Sequence, residues 1–378
     1  MIAFFTNRLN HHQVQVADEL YKITNGDFAF VELCPPNSQS NKGSNADFSE
    51  RAYLIQAWRS EENKVQAYKL AEESDVCVFG TIASLPFEKA RMKKGLLSFD
   101  MGERWLKKGI KNVFSPAISK MILNYHLNGW RNKPLYRLCM SAYAADDHNR
   151  LRMFRGKCFK WGYFTAVGNV GTDEILAFKT STPVRLMWCA RFLKLKHPEQ
   201  PMQMAKKLKD KGYDFVLDFY GSGEEFETTK QLAETLEVTD VVNFHGTVPN
   251  DEVLKAMREH DVFLFTSNRQ EGWGAVVNEA MSNGCAVVGN DVIGSVPYLV
   301  KDGFTGLQYH ETVDSLIEKV EWLLNHPDEL RNMQRNAYNQ MKDIWSPANA
   351  ARSLIQLIND LNNGKESSIK EGPCSKAE

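Results

Sequence analysis

Val262 to Gly289 reads VFLFTSNRQEGWGAVVNEAMSNGCAVVG: an apolar run, a polar loop with two glycines, a helical stretch and a second apolar run. VFLFTS and CAVVG have the length and β-branched content of buried parallel strands. Between them, Ala275 to Ser282 has the periodicity of a helix that Gly284 stops. The stretch is one strand–helix–strand unit. Its repetition on both sides decides the fold: VRLMWCA (Val184 to Ala190), helix Met202 to Lys211, FVLDFYG, helix Thr229 to Leu236, VVNFHG and helix Asp251 to Glu259 precede it. This is the alternation of a doubly wound parallel sheet.

The N-terminal half repeats the rhythm less regularly. IAFFT (Ile2 to Thr6), a helix from Gln13 to Lys22, FAFVEL, the amphipathic Gln66 to Glu73 and VCVFG suggest a second sheet. Thr165 to Pro183 is rich in Gly, Thr and Ser around one short helical patch and reads as the hinge. Ser346 as N-cap and Pro347 at the first helical position open a last helix through Leu361. The polar tail after Asn363 reads as disordered.

The expected architecture is α/β, two Rossmann-like doubly wound domains facing a cleft. The boundaries are 1–170 and 171–345, a helix at 346–363 returning toward the N-terminal domain, and a tail at 364–378. Closure of the hinge over a bound ligand is the expected motion.

The chain has 378 residues with Lys+Arg 46 against Asp+Glu 47, enough for two cores and without the charge imbalance of a nucleic-acid binder. No run of about 18 uncharged apolar residues occurs. The seven scattered cysteines include no Cys-x-x-Cys pair and read as small buried hydrophobes in a reducing cytoplasm.

The chemistry concentrates where strand VFLFTS ends. Glu271 falls in the loop, and Gly272 and Gly274 let the backbone approach a ligand closely. Free N–H groups before the helix suit a diphosphate or sugar hydroxyls. Glu279 can face the same crevice from one turn inside the helix and accept hydrogen bonds from a ribose diol. For either acid alone, a solvated glutamate at a helix start is the simpler alternative. Arg191 and Lys196 stand at the mouth of strand VRLMWCA, where a diphosphate's charge would be met; a solvated basic turn is the competing reading.

Arg191 with Lys196, HGTVPNDEV (His245 to Val253), EGWGAVVNEA and IGSVPYLVKDGFTGL (Ile293 to Leu307) resemble the donor half of the retaining glycosyltransferases of family 4, which have the GT-B fold. The resemblance covers nearly all of Val184 to Trp345. It implies that Arg191 and Lys196 bind the donor diphosphate and Glu279 the ribose. Glu271 and the backbone of Gly272, Trp273, Gly274 and Ala275 would meet the transferred sugar, and His245, Gly246 and Val248 the base. It implies retention of anomeric configuration, no metal and no cofactor beyond the nucleotide-sugar co-substrate, a UDP-sugar ahead of a GDP-sugar. Trp273 stands where a smaller aromatic is commoner, and Tyr298 where the family often has a Glu.

In the N-terminal half the resemblance is looser. TNRLNHHQ replaces a Gly-rich turn, making His12 a candidate cleft residue, and Glu103 in LLSFDMGERW is the counterpart of a polar residue that meets the sugar. Asp146 and Asp147 read as N-capping acids rather than a metal pair. Between Glu88 and Arg137 stand twelve Lys/Arg against three acids. Such a face suits anionic lipid or a diphosphate-linked acceptor, and a solvated basic surface otherwise.

The function expected is transfer of a sugar to a glycan or lipid-linked acceptor in surface polysaccharide or glycoconjugate assembly, in the cytoplasm or peripherally on the inner face of the membrane. The competing readings are a catalytically silent sugar-nucleotide-binding protein and a GT-B epimerase. A nicotinamide oxidoreductase is disfavoured because neither TNRLNHHQ nor YGSGEEF supplies Gly-x-Gly-x-x-Gly.

Overall fold

The computed structural model describes residues 1–36, 47–168, 170–179 and 182–378. Residues 169, 180 and 181 of the expected hinge lie outside them. The chain divides into two compact units, one of Met1–Thr165 with Trp345–Glu378, the other of Ala166–Ile344.

The first unit is built on seven parallel strands, β1 (Ile2–Thr6), β2 (Phe28–Glu32), β3 (Leu54–Gln56), β4 (Val76–Phe79), β5 (Ser98–Gly102), β6 (Leu135–Cys139) and β7 (Cys158–Lys160). Their order is β3-β2-β1-β4-β5-β6-β7. β1, β2 and β4 are buried along their whole length, as continuous apolar runs require when both faces are covered. The helix Pro347–Asn362 packs against the helix Val14–Ile23. Its start is fixed by Ser346, whose hydroxyl accepts from the Asn349 amide at 3.3 Å, and by Pro347 in the first turn.

The second unit has six parallel strands, β8 (Val184–Cys189), β9 (Phe215–Tyr220), β10 (Val242–Gly246), β11 (Val262–Phe265), β12 (Ala286–Asn290) and β13 (Gly306–Tyr309). They are ordered β10-β9-β8-β11-β12-β13. Trp188, Phe192, Phe219, Phe226 and Phe244 pack ring against ring on one face of this sheet. Chain order runs outward from β8 to β10 and then resumes on the other side with β11. The strands flanking that reversal open a crevice beyond their carboxyl ends, where α/β folds bind ligands.

Three expectations are corrected. The tail is ordered: Cys374 and Ala377 are buried, and Lys160 donates its amide to Ser375 O at 2.8 Å while Cys374 donates to Lys160 O at 2.7 Å. The tail satisfies backbone groups of β7, which is otherwise an open sheet edge. Asp146 and Asp147 lie inside the helix Ala144–Arg150 and cap nothing. Asp147 is fully buried and holds Arg104 at 2.9 Å and the Leu106 amide at 2.7 Å; Asp146 pairs with Arg150.

The basic stretch is also less solvated than expected. Arg91 is fully buried and donates to the carbonyls of Ala71, Ser74, Asp75 and Leu97 and to the Ser98 hydroxyl, tying a helix to two strand ends. Arg137 is buried against Asp100. Lys94 and Lys107 pair with Glu72 and Glu103.

Candidate functional site

In the second unit, the loop after β8 carries Arg191 and Lys196, and the loop after β11 carries Glu271. Two backbone bonds lock them together. Asn268 donates its amide to Leu195 O at 2.9 Å, and the Thr266 hydroxyl donates to Lys196 O at 2.7 Å while accepting from the Trp188 indole at 2.9 Å. Lys196 thereby reaches Glu271 in a half-buried ion pair. Asn268 also accepts from the Gln270 amide at 3.0 Å, which turns the loop back before the helix.

Glu279 sits in the first turn of the helix Val276–Ser282, on the same crevice. Its closeness is registered by Cys189 at the end of β8. Burial pushes the Cys189 thiol up to about 12, with the Glu279 charge adding to the rise and Lys196 opposing it. Desolvation raises the Glu279 carboxyl itself to about 7. A carboxylate with so little solvation is poised to accept hydrogen bonds from a ligand's hydroxyls.

Gly274 has φ +77°, and a Cβ there would come within 2.2 Å of the Phe265 ring. Ala275 is the N-cap of the helix, which begins one residue later than expected. The Trp273 side chain is fully buried, with the indole N–H donating to Asn278 Oδ1 at 2.8 Å and the ring set edge-on to Tyr298. A larger aromatic is accommodated because it fills the core beneath the loop.

Arg191 is exposed and makes no hydrogen bond or ion pair among the described residues. Its segment is braced by the loop after β9, since Ala190 donates its amide to Tyr220 O at 3.2 Å and Phe192 to Ser222 O at 2.9 Å. The same loop meets the base-side candidates. Gly221 donates to Gly246 O at 2.7 Å, and the Thr247 hydroxyl donates to that of Ser222 at 2.8 Å. Gly221 to Gly223 was weighed from sequence only as an incomplete Gly-x-Gly-x-x-Gly, although a Gly-Ser-Gly directly after an apolar strand is a readable sign of close backbone approach.

His245 stacks flat on Tyr220, 4.4 Å between centroids, and its Nε2 lies 2.7 Å from Asp218 Oδ1. Asp218 is buried, which alone would raise its carboxyl, yet bonds from His260 and His245 hold it well below the usual carboxylate range. His260 has Nε2 at 2.8 Å from Asp218 Oδ2 and Nδ1 at 2.6 Å from Ala256 O. Gly246 has φ +68°, and Val248 is half-buried. Asp218 and His260, invisible to motif reading, form the floor that fixes His245.

In the first unit, His12 lies in the loop after β1. Burial, with neighbouring His11 adding to it, drives its imidazole down to about 3, so it is neutral at physiological pH. Glu32, buried in β2, anchors this loop by accepting from the Leu9 amide at 2.9 Å. Glu103 follows β5 and pairs with Lys107.

Two doubly wound parallel sheets, of seven and six strands, are the architecture of the GT-B class of glycosyltransferase fold. Residues 176–340 match the family of glycosyl transferases group 1. Trehalose synthase of Pyrococcus horikoshii is 30% identical over 135 residues, 36% of this chain and 32% of that one. Poly(glycerol-phosphate) alpha-glucosyltransferase of Bacillus subtilis is 36% identical over 148 residues, 38% and 21% of the two chains. The chain thus spans about a third of the length of the curated relatives it matches. Among solved structures, HepE of Anabaena in complex with UDP superposes with a TM-score of 0.70 at 12% identity, covering 95% of this chain and 99% of that one. Sucrose-phosphate synthase from Thermosynechococcus elongatus does so at 0.66 and 14%, covering 96% and 99%. Among the described residues no helix is long and apolar enough to cross a membrane.

Proposed function

We propose that this protein is a retaining glycosyltransferase that takes its sugar from a nucleotide-sugar, a UDP-sugar ahead of a GDP-sugar, and delivers it to a glycan or lipid-linked acceptor. The carrying observation is the Lys196–Glu271 ion pair at the carboxyl ends of β8 and β11, with Glu279 close enough to perturb Cys189. Lys196 and Arg191 neutralise the departing diphosphate, the charge that develops most in the transition state. Glu279 accepts from the ribose diol, and Glu271 with the backbone of 272–275 orients the sugar. His245 to Val248 border the base. In this reading the leaving phosphate oxygen takes the acceptor's proton on the face it vacates, which retains configuration, and the two side-chain cations do what a metal would do elsewhere. UDP in the HepE complex favours uridine.

Thermal shift with UDP-, GDP- and ADP-sugars tests it, because a bound donor raises stability by mass action. One UDP-sugar is expected to raise Tm, and the lift should grow as pH rises through about 7, where Glu279 ionises and can accept from the ribose. Ligand-free stability moves the other way. Between the ordinary glutamate value and about 7 the folded state binds the extra proton, so stability is lost across that window as pH rises. Glu279→Gln is therefore expected to stabilise the unliganded protein at pH 8 by up to about 3 kcal/mol, with no gain at pH 4.5, while losing the donor's lift. No response to any nucleotide-sugar would end the reading.

We also propose that residues 88–137 dock on an anionic membrane. Seven of the twelve cations, Lys89, Lys93, Lys94, Lys108, Lys111, Lys120 and Arg131, are exposed, Lys94 while paired with Glu72. Beside them Ile110, Phe114, Leu123 and Leu127 are 61%, 83%, 52% and 75% exposed, more apolar surface than a solvated basic face needs. Lys120, Leu123 and Leu127 share one face of the helix Pro116–Leu127. Such a mix of cations and apolar groups matches an anionic lipid interface. Co-sedimentation is expected with phosphatidylglycerol-containing vesicles and not with pure phosphatidylcholine, and Phe114→Ser with Leu127→Ser should release the protein. Equal recovery with both lipids would refute docking.

A further inference from the structure

A cavity of about 210 Å³ lies within the first unit, beside the point where its strand order reverses between β1 and β4. Its rim includes Thr81 after β4 and Glu103 after β5, and its walls include Trp105, Ile118 and Met121. It has more than ten times the roughly 15 Å³ that one water needs.

Its floor is polar and incompletely satisfied. Glu88, Asp100 and Arg137 are 2%, 7% and 1% exposed, and all three line the cavity. Asp100 and Arg137 are cross-strand neighbours in β5 and β6, joined by Arg137 Nη1 at 2.7 Å from Asp100 Oδ1, and Arg137 Nη2 donates to Glu103 O at 3.3 Å. Three buried polar atoms remain without a partner, Glu88 Oε1, Asp100 Oδ2 and Arg137 Nε. Orphaned buried groups each cost about 1–3 kcal/mol, so a core that only needed stability would have replaced or paired them. Three orphans meeting at one cavity point to an occupant that pairs them.

The charges narrow its chemistry. Burial raises the Glu88 carboxyl well above its usual range and Asp100's charge adds to this, which favours the neutral acid, with Arg137 opposing. With Asp100 offset by Arg137, the floor has no net charge and favours neither a phosphate nor an ammonium. Asp100 Oδ2 needs a donor, Arg137 Nε needs an acceptor, and Glu88 can act as either. Adjacent hydroxyls meet all three demands, and the apolar walls suit the C–H face of a ring.

We propose that this cavity binds an uncharged sugar ring through a pair of neighbouring hydroxyls held by Asp100, Arg137 and Glu88, with its C–H face on Trp105, Ile118 and Met121. If the chain is the glycosyltransferase proposed above, on which this role rests, the cavity recognises a sugar unit of the acceptor.

Saturation-transfer NMR and calorimetry on the full chain, with methyl glycosides of glucose, galactose, mannose and N-acetylglucosamine, test the proposal against glucosamine and glycerol phosphate as charged probes. At least one neutral glycoside is expected to bind, and Glu88→Leu, which removes both donor and acceptor, to weaken it at least tenfold. Because altering the floor could disturb folding, Ile118→Trp fills the cavity from its wall. It should abolish glycoside binding while leaving the nucleotide-sugar thermal shift unchanged. Absence of glycoside binding, preference for a charged probe, or binding unaffected by Ile118→Trp would each overturn the proposal. A nucleotide-sugar response with no glycoside binding sinks this proposal alone, and the converse sinks the donor assignment alone.

Discussion

Lys196→Met is expected to lower turnover by about a hundredfold or more on the donor that the thermal-shift panel selects, while the protein stays folded. In the unliganded site Lys196 is paired with Glu271, and both side chains are largely withdrawn from water, at 13% and 16% exposure. A donor diphosphate arriving there exchanges one anionic partner for another, so ground-state binding gains little from the lysine. The leaving nucleoside diphosphate carries more charge at the transition state than before, and there the ammonium contributes most. The loss should therefore fall on kcat more than on KM.

Glu271 gives the complementary expectation. Glu271→Gln releases Lys196 toward the phosphates, so nucleoside diphosphate should bind as well as before or more tightly while turnover falls. Combining Lys196→Met with Glu271→Gln removes the unpaired half-buried charge that either change leaves, so the melting temperature should recover without activity. Turnover of Lys196→Met within threefold of the parent would remove Lys196 from the chemistry.

What could be read in advance follows from what is local. Strands β8, β9, β11 and β12 announce themselves as apolar runs because their neighbours on both faces are helices. That Lys196 and Glu271 approach one another was legible because each lies in a loop that follows a strand at the same edge of one sheet, although their ion pair was not foreseen. Contacts between distant segments were not. Arg91 sits in KARMKK, which reads as a basic helix face, yet the carbonyls that bury it come from the ends of other elements. Asp147 finds Arg104 across 43 positions, so its pairing left no trace in the pattern around it. The tail after Asn363 has no periodicity because it is ordered by the open backbone of β7 rather than by an apolar stripe of its own. For Trp273 only the backbone was assigned to the ligand, and its indole is buried beneath the loop.

Gly221→Ala is expected to be the most damaging change among the glycines around the donor site. Gly221 has φ +122°, and a Cβ built there would stand 2.0 Å from Ala190 O, the carbonyl immediately before Arg191. Backbone cannot swing aside as a long side chain would, so the loop after β9 must separate from the loop after β8. That separation breaks the bonds Ala190 N to Tyr220 O and Phe192 N to Ser222 O, which brace Arg191, and strains Gly221 N to Gly246 O, which aligns the base side. Overpacking and an unfavourable φ together should cost about 3 kcal/mol or more, read as a fall in the denaturant midpoint. Donor affinity should drop at least tenfold, because the diphosphate and base contacts are displaced together. Gly212→Ala serves as the control: it also has positive φ, +77°, but no atom stands within 4 Å of the added Cβ, so it should show the backbone cost without the loss of donor. Equal donor affinity in Gly221→Ala and Gly212→Ala would show that the loop after β9 does not position the donor site.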